Sequence, residues 1–165
     1  MMGKAIDVGA KLPEATLLWM GAEDAEAVVL SGRLKGRKVA IFGLPGAFTS
    51  TCSSAHVPSF IRSAKALADK GVEEIICVSV NDPFVMEAWG KATGAIPAGI
   101  TMLGDADGSF TKAIGMELDA SGNGLGIRSK RYSMLVEDGV VKKINLEPAP
   151  GKVEVSGGDT LLGQL

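Results

Sequence analysis

The segment Pro45-Gly-Ala-Phe-Thr49-Ser-Thr-Cys52 closes an apolar run and opens a helical one. A cysteine at the first turn of a helix meets backbone N–H groups without an intrahelical acceptor and the positive end of the helix dipole. Both favour the thiolate, the form in which cysteine reacts. Thr49 precedes Cys52 by three residues, near enough for its hydroxyl to hydrogen-bond the sulfur or a substrate oxygen. Pro45 withholds a backbone donor and closes the site over the end of the preceding strand. The competing reading is a buried cysteine that packs as a small apolar side chain, a common fate of free cysteines. Position alone leaves both readings open.

Three further groups carry chemistry. His56 lies four residues after Cys52 and shares its helix face. A Cys-x-x-x-His pair makes a poor metal site, because no second pair exists to complete a tetrahedral shell. Cys77 sits in the apolar run Ile75–Val80, where an inert core thiol competes with a resolving partner for Cys52. A direct Cys52–Cys77 bond requires Cα atoms within about 7 Å and local opening of the first helical turn. Arg128, Lys130 and Arg131 form a basic cluster whose plainest reading is a solvated strand face. Alternation along a strand would put Arg128 and Arg131 on opposite faces.

These residues need elements to hold them. Ala15–Trp19 has the character of an opening strand and Val28–Leu30 of a second, separated by the acidic loop Glu23–Glu26. Lys38–Leu44 is almost wholly apolar, the mark of a strand covered on both faces, and it stops at Pro45-Gly46. Thr49-Ser50-Thr51 can cap a helix, and apolar residues then recur at three and four residues from Ser53 to Lys70. Pro58 should bend this helix or split off its first turn, and Gly71 should end it. Glu74–Val80 reads as a second buried strand, and Asn81-Asp82-Pro83 starts a helix running to about Thr93. Strand, helix and strand in this order favour a right-handed parallel βαβ unit. Ile100–Leu103 is a short strand, and the turn Asp105–Gly108 leads into a helix over Phe110–Ile114. Asp138-Gly139 between Tyr132–Glu137 and Val140–Leu146 signals a type I′ hairpin. Asp159 can cap a final helix over Thr160–Leu165.

The order predicts an α/β fold, a mixed central sheet with helices on both faces, in one domain spanning 1–165. The pattern is shared with the thioredoxin-like fold. At 165 residues the chain can bury a core without disulfides or metal. Seventeen basic against nineteen acidic side chains argue against a surface built for nucleic acid or an anionic membrane. No apolar run reaches the length of a membrane span, and the N-terminal residues have no apolar core of a secretion signal. Two cysteines and one histidine rule out a disulfide framework and an ordinary zinc site. Cytoplasmic localisation, in a reducing compartment, is the expectation. No phosphate-binding G-x-x-x-x-G-K-[ST] occurs, and no cofactor is expected.

Pro45-x-x-x-Thr49-x-x-Cys52 resembles the signature of the peroxiredoxins. The match is closer to their type II, or peroxiredoxin-five, subfamily in four segments: Phe42–Thr49, Cys52–Pro58, Val78–Asp82 and Arg128–Met134. The resemblance extends from about Val8 to Leu165. It implies a thiol-dependent peroxidase in which Cys52 is the peroxidatic cysteine, with Thr49 and Pro45 beside it. It also implies that Arg131 supplies the cation near the sulfur. His56 matches a histidine of the subfamily, where it would orient or polarise the hydrogen bonds of the site. Hydrogen peroxide and alkyl hydroperoxides would be substrates, and glutathione with glutaredoxin, or thioredoxin, the reductant. Some subfamily members carry a resolving cysteine near the C-terminus. None occurs between Pro148 and Leu165, which favours an external thiol and leaves Cys77 the sole internal candidate. The resemblance further implies a homodimer, with Phe48 either at the subunit contact or, like Trp89, in packing. A peroxide sensor or thiol relay using the same Cys52 is the alternative activity, and a catalytically idle thioredoxin-like interaction module the alternative class.

Overall fold

The computed structural model describes residues 4–165. Seven strands form one sheet in the order β2-β1-β5-β4-β3-β8-β9. They are β1 (Thr16–Met20), β2 (Ala25–Val29), β3 (Lys38–Gly43), β4 (Glu74–Ser79), β5 (Thr101–Gly104), β8 (Tyr132–Glu137) and β9 (Val140–Leu146). The central β3, β4 and β5 run parallel, while β1 and β8 flank them antiparallel. Alternation along β3 sorts its side chains onto two faces. Ala40 and Phe42 join one apolar cluster with Cys52, Phe60 and Cys77. Val39 and Ile41 join the other with Leu30, Phe110 and Tyr132. Both clusters are buried, so β3 carries apolar side chains on both faces. The first is covered by α2 (Val57–Asp69), α3 (Pro83–Thr93) and α5 (Gly158–Gly163), the second by α1 (Leu30–Leu34) and α4 (Ser109–Ala113).

Local signals account for most element ends. Gly71 has φ +91°, with its N–H on Ala68 O and the Val72 N–H on Leu67 O, a Schellman ending for α2. Asp82 Oδ1 accepts the Val85 N–H at 2.9 Å and caps α3. Asp138 and Gly139 both have positive φ, as a type I′ turn requires.

Several expectations are corrected. The acidic loop is shorter than expected, because Ala25 and Glu26 already pair with β1. Helix α1 has only five residues, too few to show a period. The final helix is α5, which starts after Gly157, so Asp159 lies within its first turn and does not cap it. Two short strands, β6 (Glu117–Asp119) and β7 (Ile127–Ser129), pair in a separate hairpin. Arg128 belongs to β7 and Arg131 lies beyond its end, so alternation does not relate them.

Candidate active site

Cys52 stands in the first turn of a continuous helix over 50–69, just beyond the C-terminal end of β3. Its first part is not α-helical. Residues Cys52–His56 form a π-helical turn in which the Val57 N–H donates to Cys52 O. Pro58 explains this, because it has no N–H for the Ser54 carbonyl and its ring crowds that carbonyl. The expected disruption by Pro58 thus takes the form of a widened turn that still carries Cys52 and His56. None of the expected threonine caps forms. Thr49 Oγ1 donates to Gly46 O at 2.6 Å, and Thr51 Oγ1 donates to Gly151 O at 3.0 Å.

Arg131 reaches the sulfur from just before β8, the strand paired with β3. Its Nη2 donates to Cys52 Sγ at 3.3 Å, Nη1 faces His56 Nδ1 at 3.1 Å, and Nε donates to Pro150 O at 2.8 Å. The guanidinium is 2% exposed, so it is a buried cation and not part of a solvated face. His56 is equally buried, and its Nε2 lies 2.9 Å from Ser156 O. A guanidinium can only donate and a carbonyl can only accept. His56 is therefore the neutral tautomer, with its proton on Nε2 and a lone pair on Nδ1. Burial, reinforced by the Arg131 charge, holds its pKa down to about 3.

The loop ahead of Cys52 is held in two places. Asn81 Oδ1 accepts from Ala47 N at 3.0 Å and from Ser79 Oγ at 2.6 Å. Arg128 Nη1 donates to Pro45 O at 3.3 Å, and a Cβ on Gly46 would run into that same nitrogen. Arg128 thus holds the loop ahead of Cys52 while Arg131 holds Cys52 itself, although spacing suggested opposite faces. A cavity of about 170 Å³ opens beside this loop, with Pro45, Thr49, Leu125, Arg131 and Pro150 among its walls. Because the Thr49 hydroxyl proton is committed to Gly46 O, its oxygen can only accept from a molecule in that cavity. Thr49 makes no hydrogen bond to the sulfur. Cys52 itself is 1% exposed.

Cys77 is fully buried in β4, in register with Phe42 and in the same cluster as Cys52. Burial and the neighbouring Cys52 push its thiol well above the usual range. Trp89 is core, and its Nε1 donates to Ser53 Oγ at 3.0 Å. Phe48 does not pack into the core: it is 59% exposed at a positive φ of 61°. Sequence reasoning placed Asn81 at a helix start and gave it no part in the site, and Arg128 stayed undecided. Asn81 follows a buried strand and precedes Asp-Pro, which signals a turn but not a loop clamp.

Fold and site together define a thioredoxin-like protein with a helix-start cysteine facing a buried arginine. The Redoxin family profile matches residues 7–162. Peroxiredoxin-2C of Oryza sativa subsp. japonica is 45% identical over 161 residues, covering 97% of this chain and 98% of that protein. The crystal structure of reduced Prx3 in complex with H2O2 from Vibrio vulnificus superposes with a TM-score of 0.91 at 46% identity, over 96% of this chain and 98% of that one. Peroxiredoxin 5 from Alvinella pompejana gives 0.83 at 32%, over 95% and 96%. The chain belongs to the Redoxin family. Within it, the chain is a type II peroxiredoxin, a thiol-dependent peroxidase.

Proposed function

We propose that Cys52 is the peroxidatic nucleophile and that Thr49, Arg131 and Pro45 complete the reacting site. The observation that carries this reading is the 3.3 Å approach of Arg131 Nη2 to Cys52 Sγ. A peroxide in the adjoining cavity donates its O–H to Thr49 Oγ1 and accepts from the Arg131 fork. The sulfur lone pair forms an S–O bond as the O–O bond breaks. The departing oxygen leaves with the electron pair and takes up, through solvent, the proton that the Cys52 thiol lost on ionising, giving water or alcohol and Cys52 sulfenic acid. Arg131 stabilises the charge gathering on that oxygen, and its rigid fork holds the peroxide in line. Pro45 keeps a backbone donor away from the reacting oxygen.

The cycle closes with an external thiol. Glutathione condenses with the sulfenic acid to a mixed disulfide and water, and glutaredoxin or a second thiol restores Cys52. Thioredoxin would do the same through its own dithiol. Cys77, buried with a raised pKa, supports an external route. Hydrogen peroxide and alkyl hydroperoxides are the substrates, and the reducing cytoplasm is the compartment in which both free cysteines fit. The chain acts as a homodimer, supported by Phe48, whose exposed ring sits on a strained backbone within the site loop. Steady-state peroxide consumption with glutathione plus glutaredoxin, and separately with thioredoxin plus its reductase, tests the cycle. Turnover with either supports it. Consumption of a single equivalent with neither reductant able to sustain more would contradict it.

A further inference from the structure

Glu147 follows directly on β9 and is 5% exposed. Its Oε2 gathers four donors: the backbone N–H groups of Glu154, Val155 and Ser156 at 2.9, 2.8 and 2.7 Å, and Ser156 Oγ at 2.6 Å. Its Oε1 is buried and has no partner. The turn so gathered presents the Ser156 carbonyl to His56 Nε2, and His56 Nδ1 in turn receives Arg131 Nη1. The Glu147 backbone N–H also donates to Arg131 O at 3.0 Å. One residue thus holds the Arg131 main chain directly and its guanidinium through two links.

We propose that Glu147 is a positioning residue that aims the Arg131 fork at Cys52, acting through the 154–156 turn, the Ser156 carbonyl and the His56 ring. The proposal rests on the roles given above to Cys52 and Arg131. A carboxylate buried with one oxygen unpartnered costs stability, so fold stability alone does not account for it. Its hydrogen bonds outweigh the effect of burial and hold its pKa below the usual carboxylate value, so it is anionic at neutral pH. Among the described residues no carboxylate pairs directly with Arg131. Glu147 therefore supplies a counter-charge at one remove, which leaves Nη2 free for the sulfur. Fixing the proton on Nε2 is the step that matters. With the proton on Nδ1 instead, two donors would confront each other and the fork would turn away.

His56 is the single histidine of the chain, so its ring nitrogens give an unambiguous NMR signature in tag-free protein. Wild type should show the neutral Nε2–H tautomer across about pH 5–8. In Glu147→Gln that signature should give way to a mixture of states. The second-order rate with hydrogen peroxide should fall about 10- to 100-fold, the size of a small misplacement near reacting atoms. In an Arg131→Ala background the same Glu147→Gln change should cost nothing further, because its effect passes through that fork. Glu147→Asp, which keeps the charge but falls one methylene short, should show the same losses and replaces Glu147→Gln if that variant does not fold. An Nδ1–H or charged His56 in wild type overturns the proposal. So does a variant with wild-type rate and tautomer, or one whose penalty persists undiminished without Arg131. An Arg131→Ala protein as fast as wild type would overturn the underlying reading of the site as well, and is recognised by that control alone.

Discussion

Arg131 and Cys52 are separated by 79 positions in the chain, yet Nη2 and Sγ lie 3.3 Å apart in the interior. The sheet makes this approach possible. Antiparallel pairing of β3 with β8 sets Gly43 opposite Tyr132, so the residue before β8 meets the loop after β3. Burial gives the contact its chemical weight, since a charge near the sulfur acts through a medium less polar than water. Arg131 also has two other anchors, His56 and Pro150 O, and therefore little freedom to leave.

Replacing Arg131 by alanine should lower the second-order rate with hydrogen peroxide by about 10²–10³-fold, the usual loss for one donor to a developing oxyanion. Arg131→Lys should recover only part of it, because an ammonium lacks the fork that spans sulfur and imidazole together. Stopped-flow kinetics on the reduced variants measures both. A lysine variant at the wild-type rate would mean that charge alone suffices.

His56 carries a pH dependence with a definite sign. Its pKa is about 3 in the folded chain, against about 6.5 when exposed. Below pH about 6.5 the unfolded chain binds a proton that the folded one refuses, so stability falls with pH until the folded site also titrates. His56→Asn should remove this contribution. The wild-type stability, relative to that variant, should decline between about pH 6.5 and 3 and be flat above. Urea denaturation at a series of pH values checks it, and a gap independent of pH would contradict the depressed pKa of the buried ring.

Much of this arrangement is legible in the sequence, for physical reasons. The buried strands declare themselves through unbroken apolar runs, and β3 and β4 extend over Lys38–Gly43 and Glu74–Ser79, within a residue of the run ends. Pro58, Gly71, Asp82 and Asp138-Gly139 each act within a few residues, so their consequences are local and readable. The convergence of Arg128 on Pro45 was not readable, because it depends on where a three-residue strand and its loop come to rest. Glu147 is silent for the same reason. Its partners lie seven to nine residues on, in an irregular turn without period. The role of Arg131 came from resemblance, since a basic cluster looks alike whether solvated or buried.

Cys77 should be dispensable for turnover with an external thiol. Cys77→Ala and Cys77→Ser should both retain the wild-type rate with peroxide, while differing in stability. The serine hydroxyl would sit fully buried beside Phe42 and Ile76, at a cost of about 1–3 kcal/mol if it finds no partner. Equilibrium unfolding in urea should place serine below alanine. Loss of turnover in both variants, with the fold intact, would make Cys77 a participant in the cycle.

The most direct test of the central claim is intact-mass spectrometry of reduced protein after one equivalent of hydrogen peroxide, with and without dimedone. The account predicts a single added oxygen that dimedone traps at Cys52, further oxidation with excess peroxide, and no peroxide consumed by Cys52→Ser. An intramolecular Cys52–Cys77 disulfide with no trappable sulfenate would contradict the one-cysteine cycle, and a Cys52→Ser protein that still consumed peroxide at the wild-type rate would contradict the assignment of the nucleophile itself.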